Sequence, residues 1–167
     1  MNKATGSVIQ RVATPDDLHA LWHYNVTSHP GDDRWVRWRE QYIGYNQTGA
    51  ARTFTVVVDS HPVGEGTLLF DPACSAIGGR TELADGISVV NLNALRIQKP
   101  WEGRGYISAM VRMMEQHARE SGFSRITIGV DACEARNRAI YAHWGYTRLL
   151  FTEEEDGELA LYYEKPL

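Results

Sequence analysis

The chain has 167 residues and a formal net charge of −4, which suits a single domain over residues 1–167 with a sizeable core. This mildly acidic balance, without a basic stripe, argues against a nucleic-acid partner. The cysteines are Cys74 and Cys133, which indicates free thiols in a reducing compartment and neither a disulfide framework nor a metal-binding spacing. The sequence shows no signal-like apolar region and no membrane span, so we expect a soluble, cytoplasmic protein.

The first half of the chain predicts a strand, two helices and a hairpin. Thr14 is a helix N-cap, followed by Pro15 at the first helical position and by acidic residues in the first turn. A second helix is predicted after Asp32-Asp33. Strands are predicted over residues 8–12, 54–58 and 63–70. The last two strands form a hairpin, so part of the sheet must be antiparallel.

The second half predicts a crossover and a closing hairpin. A long polar loop, Asp71 to Gly86, precedes the strand Val89 to Ile97 and a helix from about Ile107 to Glu120. Asn137 is expected to cap a short helix that Gly145 ends. The remaining strands are predicted over residues 125–130, 147–151 and 159–164. Antiparallel and crossover elements together indicate a mixed α/β fold.

A glycine-rich turn, Glu102-Gly103-Arg104-Gly105-Tyr106-Ile107-Ser108, lies between that strand and that helix. The free N–H groups at a helix start form a ready phosphate site. The turn lacks the lysine and hydroxyl residue of a P-loop, and Ser108 replaces the third glycine of a dinucleotide-binding turn. The pyrophosphate of coenzyme A is the third interpretation, and a purely structural turn is the alternative.

Three stretches of the second half, taken together, match the motifs of one known family. They are the strand Ala94-Leu95-Arg96-Ile97, the turn with its following helix, and the run Asn137-Arg138-Ala139-Ile140-Tyr141-Ala142-His143-Trp144-Gly145-Tyr146. That run is similar to Asn-x-x-Ala-x-x-Tyr-x-x-x-Gly-Phe, with Tyr146 in place of Phe. From about Ala94 to Tyr146, the chain therefore resembles the GNAT acetyltransferase superfamily. The resemblance implies an α/β (α+β) fold with a mixed, mostly antiparallel central sheet flanked by helices, and an acyl-CoA-dependent N-acetyltransferase that uses acetyl-CoA.

The resemblance also implies roles for the matching residues. Backbone groups of Leu95, Arg96 and Ile97 would pair with the pantetheine arm like an added strand, and an amide there could polarise the acetyl carbonyl. Asn137 would hydrogen-bond the pantetheine or a nearby backbone group, whereas Tyr141 would contact the cofactor near its sulfur and protonate the leaving thiolate. The pyrophosphate would be held by the turn residues Glu102, Gly103, Arg104, Gly105, Tyr106, Ile107 and Ser108.

Two turn residues depart from the usual family pattern. Glu102 stands where Gln or Arg is usual, and its carboxylate is unfavourable beside a pyrophosphate unless it faces solvent. Ile107 stands where Gly or Ala is usual, and its side chain would either crowd the ligand or face the core. Both departures bear on the affinity for the cofactor.

The general base has no obvious candidate in the sequence. Many family members carry a carboxylate on the central strand, but here that stretch contains Asn91 and Asn93, whose amides cannot accept the proton. Asn93 is therefore assigned a catalytic role in orienting water or the acceptor; the alternative is that both amides lie on the solvated side of the strand. Other candidates for the base are the carboxylates of Glu82, Asp85, Asp131 and Glu134, or a histidine.

In this family the first helices and the hairpin loops usually form the acceptor wall. Here they offer Trp22, Trp35, Trp38, Tyr42 and Tyr45. Aromatic faces can hold a cation, but aromatic residues at helical spacing are more often core. We expect Trp22 and Trp38 to belong to the core and leave Trp35 and Tyr45 open.

The resulting hypothesis is transfer of acetyl from acetyl-CoA to the primary amine of a small molecule, by direct attack in a ternary complex. A protein or peptide amine is the alternative acceptor. A non-catalytic module that binds CoA for regulation or interaction is the rival hypothesis, because a strand carboxylate is missing and Glu102 and Ile107 are unusual. Exposed edge strands are compatible with a homodimer.

Overall fold

The structure, a computed structural model, describes residues 6–167. Within them, strands and α-helices follow the order β1 (Val8–Val12), α1 (Pro15–Thr27), α2 (Asp33–Thr48), β2 (Ala51–Val58), β3 (His61–Leu69), β4 (Val89–Ile97), α3 (Tyr106–Glu120), β5 (Arg125–Asp131), α4 (Ala135–His143), β6 (Arg148–Glu155) and β7 (Glu158–Pro166). A short 3-10 helix, Lys99–Trp101, precedes α3. The predicted order of elements is confirmed. No helix of the described residues is long and apolar enough to cross a membrane.

The strands form one seven-stranded sheet in the order β1-β2-β3-β4-β5-β7-β6. β1 pairs antiparallel with β2, and β7 pairs antiparallel with both β5 and β6. β4 and β5 run parallel, as expected where a helix connects two strands. Asp59 and Ser60, with φ of 48° and 68°, form the two-residue turn between β2 and β3. The predicted mixed, mostly antiparallel sheet is confirmed.

The chain divides into two compact units, each discontinuous in sequence. The first unit contains residues 6–67 and 94–114, and the second contains residues 68–93 and 115–167. β3, β4 and α3 each supply residues to both units. The expectation of a single domain over residues 1–167 stays a prediction.

Helix α1 of the first unit begins as its sequence predicts. The Thr14 hydroxyl accepts a hydrogen bond from the Asp17 N–H at 3.1 Å, and the Asp17 carboxylate accepts one from the Thr14 N–H at 2.9 Å. This reciprocal capping satisfies donors that a helix start otherwise leaves free. Leu18, Leu21 and Trp22 are buried, so the cap directs the apolar face of α1 into the core of this unit.

Two glycines of β3 allow β4 and α3 to approach closely within the first unit. A Cβ on Gly66 would lie 2.8 Å from Cδ2 of Leu95 and 3.0 Å from both Met110 Cε and Met114 Sδ. A Cβ on Gly64 would lie 3.1 Å from the backbone oxygen of Arg96. The side chains of Leu95, Met110 and Met114 therefore fill the space that larger residues on β3 would occupy. Glu65, between the glycines, belongs to the opposite face because side chains alternate along a strand.

In the second unit, buried polar residues anchor the long loop to the sheet. The Thr127 hydroxyl donates to the carbonyl oxygen of Leu83 at 2.7 Å, and Asn91 Nδ2 donates to Thr127 Oγ1 at 3.0 Å. Arg80 of the same loop forms ion pairs with Glu153 and Glu155 of β6. The loop that precedes β4 is thus tied to strands at several points.

Helix α4 begins earlier than the sequence predicts. Its N-cap is Glu134, and Asn137 lies inside its first turn. The amide of Glu134 donates to the Asp131 carbonyl and the amide of Arg138 donates to the Glu134 carbonyl, both at 3.0 Å. The expectation that Asn137 caps this helix is wrong, because the turn after β5 runs directly into helical geometry.

The close approach at Gly66 predicts a stability difference between two glycine substitutions. Gly66→Ala should lower the free energy of unfolding by about 1–3 kcal/mol, because its methyl group would press on fully buried methionines. Gly44→Ala is the matched control: it lies inside α2 with open space around the new Cβ and should stabilise the protein by about 1 kcal/mol. Urea unfolding measures both. Equal effects of the two substitutions would contradict the packing described here.

Candidate functional site

The glycine turn before α3 has the backbone geometry that its glycines permit. Gly103 and Gly105 have φ of 71° and 78°, a region that other residues enter only with strain. A Cβ at either position would meet no atom within 4 Å. The glycines are therefore required by the backbone conformation, and the open space beside them leaves room for a ligand to approach the main chain.

The first turn of α3 leaves backbone donors ahead of its hydrogen-bond ladder. The Ala109 N–H donates to the Gly105 carbonyl at 3.1 Å, and the amides of Tyr106, Ile107 and Ser108 precede it at the helix start. Such amides, with the positive end of the helix dipole, favour an anion. These residues fit the pyrophosphate of coenzyme A, and binding there stays a prediction.

The two unusual turn residues leave the turn unobstructed. Glu102 is exposed, so its carboxylate can remain hydrated. The Ile107 side chain packs towards β3, where its Cδ1 lies 3.6 Å from the position of a Cβ on Gly64. Arg104 lies over the Trp101 ring at 5.1 Å and donates to the Pro100 carbonyl at 3.3 Å. Of the two outcomes expected for Ile107, packing against the protein is the one observed.

The last residues of β4 follow a residue at which the extended backbone conformation of the strand is interrupted. The parallel ladder with β5 covers Val89–Leu92, and Ala94 then adopts a φ of 54°. A positive φ costs a residue with a Cβ about 1–2 kcal/mol, and such strain is often retained at functional sites. Leu95, Arg96 and Ile97 are the half-buried residues after this break, where the resemblance assigns the pantetheine arm.

A buried ion pair lies on the face of β3 opposite α3. Glu65 is 2 % exposed, and its Oε1 accepts hydrogen bonds from Arg96 Nη1 at 2.6 Å and from Asn25 Nδ2 at 2.7 Å. The Arg96 guanidinium lies 5.4 Å from the Trp22 ring centroid and 4.9 Å from that of Trp35. We call Trp22, Asn25, Trp35, Glu65 and Arg96 the Glu65 cluster.

The sequence interpretation missed Glu65 and Asn25. A lone carboxylate between two glycines, in a strand that contains no other charged carboxylate or basic lysine or arginine side chain, was the available signal for Glu65. Asn25 offered none, because a polar residue near the end of a helix is ordinary. The sequence interpretation assigned a role only to the backbone of Arg96. The contacts of its side chain with Glu65, Trp22 and Trp35 were not predicted.

The aromatic residues of α1 and α2 contact cations of the protein itself. Trp22 is 1 % exposed, which confirms its place in the core, whereas Trp38 is only half-buried, so its assignment to the core is wrong. Trp35 stacks on His29 with ring centroids 3.7 Å apart and has Arg96 within cation–π distance. Tyr45 is half-buried and packs against Tyr42 at 5.9 Å. The aromatic wall therefore does not present an empty cation-binding cage at Trp35.

The two amides of β4 are enclosed. Asn91 is 2 % exposed, so the alternative that places it on a solvated side is wrong. Asn93 is half-buried, and its Nδ2 donates to Asn91 Oδ1 at 3.3 Å. Thr127 in turn fixes Asn91, which gives Asn93 a supported orientation. The catalytic role of Asn93 stays a prediction.

The carboxylates considered as bases lie in loops or at the ends of elements. Burial would raise the pKa of Asp85, but hydrogen bonds from the N–H groups of Val89, Ile87 and Ser88 outweigh it and hold the pKa well below its usual range. Asp85 is thus a structural cap of the loop and a poor base. Glu82 and Glu134 are exposed, and Asp131 is half-buried at the end of β5.

Helix α4 of the second unit carries Asn137 and Tyr141, four residues apart and therefore on one face. Burial, with the nearby charge of Glu134, raises the pKa of Tyr141 to about 12. The phenol is therefore neutral and protonated at ordinary pH. A protonated phenol on a half-buried face is chemically suited to donate to a developing thiolate.

Comparisons with known proteins agree with this description. A sequence model of the acetyltransferase (GNAT) family matches residues 16–146. Solved structures with the same fold include an N-acetyltransferase from Staphylococcus aureus Mu50, with 17 % identity, coverage of 96 % of this chain and 98 % of that chain, and a TM-score of 0.67. A comparison with curated proteins found no match.

Two further structures carry functional descriptions of their own. A ribosomal-protein-alanine N-acetyltransferase from Brucella melitensis shares 19 % identity over 95 % of this chain and 99 % of that chain, with a TM-score of 0.70. A PaiA N-acetyltransferase from Thermoplasma acidophilum, in complex with coenzyme A, shares 14 % identity over 96 % of this chain and 99 % of that chain, with a TM-score of 0.64. At these identities the likeness shows the fold.

A transferase that uses an acyl-CoA is the class of protein that the family match indicates. The family match extends over most of the chain, and the chain belongs to the GNAT family of acetyltransferases. It is therefore an acyl-CoA-dependent N-acetyltransferase, with acetyl-CoA as its acetyl donor.

The raised pKa of Tyr141 predicts that its phenol ionises at a higher pH than an ordinary tyrosine. Because its folded pKa lies above the ordinary value of about 10, the neutral phenol should persist as the pH rises through that value and ionise only near 12. Tyrosinate absorbance of the wild type and of Tyr141→Phe should coincide up to about pH 10 and diverge above it. A difference between them that develops below pH 10 would contradict the assigned environment.

Proposed function

We propose that this protein transfers an acetyl group from acetyl-CoA to the primary amine of a small molecule by direct attack in a ternary complex. Membership of the GNAT family supports the donor and the reaction type. The feature of the chain that best supports donor binding is the turn at Gly103 and Gly105, with the first amides of α3 behind it. Its geometry fits a pyrophosphate without a lysine or a metal ion.

Binding of the donor is assigned to backbone groups. The amides from Gly103 to Ser108 would hold the pyrophosphate, and the charge of Arg104 would offset that of Glu102. Leu95, Arg96 and Ile97 would pair with the pantetheine arm, and Asn137 would add a side-chain hydrogen bond to it. Backbone recognition is compatible with the departures at Glu102 and Ile107, because an N–H donor does not depend on the side chain of its residue.

In the chemical step, the neutral amine attacks the thioester carbonyl, so that a C–N bond forms and the C–S bond breaks. An amide near Leu95 or Arg96 would stabilise the oxyanion, and Tyr141 would donate its proton to the departing sulfur. The amine loses a proton to water, which Asn93 would orient, and the Tyr141 phenolate regains a proton from solvent, so that the acetylated amine and free CoA are the products. A free thiol has a pKa of about 8.5, below that of Tyr141, but the burial that affects Tyr141 would also make a desolvated thiolate more basic.

The proposed function has two candidate classes of acceptor. One structural neighbour is described as acetylating a ribosomal protein, so an N-terminal protein amine is the alternative. A small amine is favoured by the Glu65 cluster, whose partly exposed Arg96 guanidinium can bind a carboxylate. A panel of small amines and peptides, assayed for release of free CoA, separates the two classes.

Removing the Tyr141 hydroxyl should affect turnover far more than donor binding. Tyr141→Phe should lower kcat by about a hundredfold or more, in the range typical of a lost proton donor, and change the Kd for acetyl-CoA little. Tyr163→Phe, another half-buried tyrosine of the second unit, is the matched control and should behave like the wild type. An unchanged kcat in Tyr141→Phe would exclude the proposed role as proton donor.

Neutralising Glu102 should strengthen donor binding. Its carboxylate is exposed beside the turn, so Glu102→Gln should lower the Kd for acetyl-CoA by about two- to fivefold at low salt, and by less at high salt. Glu120→Gln, at the other end of α3, is the control for a general change of charge. Calorimetric titration measures both, and equal gains from the two substitutions would place the pyrophosphate elsewhere.

A further inference from the structure

In the Glu65 cluster, the cation Arg96 is partly exposed to solvent and the anion Glu65 is buried. The side chain of Glu65 is 2 % exposed, whereas that of Arg96 is 29 % exposed. A molecule that reaches this cluster therefore meets a guanidinium first. Since Trp22 and Trp35 are already in contact with that guanidinium, they are not available as an open cage for a cationic group.

The guanidinium retains hydrogen-bonding capacity. Of its donors, only Nη1 is engaged, by Glu65, in the hydrogen bonds found within residues 6–167. The planar fork of N–H groups on arginine matches the two oxygens of a carboxylate. Contacts with two indole rings and an ion pair restrict where the plane can lie, so the entropy lost on binding a carboxylate is reduced.

The position of Arg96 along β4 relates this cation to the reaction. Its backbone lies in the segment Leu95–Ile97, to which the proposed function assigns the pantetheine arm and the oxyanion donor. Its side chain contacts α1 and α2, the helices from which the family usually builds its acceptor wall. A group bound by this side chain would lie about one side-chain length from the strand that orients the thioester.

We propose that Arg96 is a specificity-determining residue that binds a carboxylate of the acceptor. The acceptor class is then an amine that carries a carboxylate a few bonds away, such as a free α-amino acid. Asn25 and Glu65 orient the guanidinium, and Trp22 and Trp35 hold its plane. This inference rests on the proposed transfer from acetyl-CoA to an amine and narrows its substrate class.

A purely structural ion pair would differ in a way that can be measured. It would stabilise the fold but would not distinguish an acidic acceptor from its neutral analogue. An N-terminal protein amine lacks a carboxylate at a fixed short distance, so it gains nothing systematic from Arg96. The ratio of kcat/KM for free amino acids to that for their α-amides therefore reports the proposed contact, and changes in donor binding cancel in it.

The test uses the full chain and a panel of free amino acids, their α-amides, peptides and polyamines. The wild type should acetylate its best amino acid with a kcat/KM about tenfold to a hundredfold above that of the amide, as expected for a hydrogen bond to a charged group. The Glu65→Gln/Arg96→Gln double variant removes both charges together, which avoids an unpaired buried carboxylate, and should bring the ratio close to one.

Two further variants keep the test decisive. Arg96→Lys retains a cation for Glu65 but loses the fork, so it should lower the ratio several-fold even if the double variant does not fold. Arg34→Gln is the matched control, because Arg34 also pairs with an acid, Asp32, and lies 5.8 Å from a tryptophan ring, that of Trp38, but its side chain is 60 % exposed. It should leave the ratio unchanged.

The outcomes separate this inference from the proposed function. Transfer to amines with a wild-type ratio near one, or with a ratio that the Arg96 variants do not change, overturns the inference and leaves the acetyltransferase function in place. Failure to acetylate any amine of the panel overturns both. A high ratio that falls in the Arg96 variants and persists in Arg34→Gln is the expected result.

Discussion

The close approach of β3 to β4 and α3 is the constraint on which the arrangement of the first unit depends. It exists because Gly64 and Gly66 leave no side chain on the face that Leu95, Met110 and Met114 fill. The same packing places Ile107 against β3 and so sets the start of α3 directly after the glycine turn. Apolar contacts that need no ligand thus preorganise the backbone amides assigned to the pyrophosphate, and the entropy of ordering them is lost in folding instead of in binding.

The residue between those glycines sets the electrostatics of the opposite face. A carboxylate as buried as Glu65 is unfavourable unless charge and hydrogen bonds compensate it, and Arg96 and Asn25 supply both. Within this ion pair, Arg96 is the residue that solvent and ligands can reach. Because side chains alternate between the two faces of a strand, β3 has two structural roles. Its glycines allow α3 to pack closely on one face, and its acid orients an arginine on the other.

Local patterns predicted most of the fold, because caps, turns and strand periodicity depend on neighbouring residues. Thr14 caps α1 as predicted, and the strand–turn–helix around Gly103 and Gly105 is found where expected. Asn137 was wrongly placed at a helix end, since a turn after β5 decides where α4 begins. The Glu65 cluster could not be predicted: it joins residues 25, 65 and 96, which only tertiary packing brings together. The positive φ of Ala94 likewise has no local sequence signal, because alanine normally avoids it.

We infer that the glycine turn makes this chain bind acetyl-CoA. Thermal unfolding with and without acetyl-CoA tests this claim most directly, with ATP and NAD as controls. Because a ligand that binds only the native state stabilises it, acetyl-CoA at a hundredfold excess over its Kd should add about 2.7 kcal/mol. We predict a rise in Tm with acetyl-CoA that neither control reproduces. No shift at millimolar acetyl-CoA, or an equal shift with ATP, would contradict the claim and leave the turn a structural connection between β4 and α3.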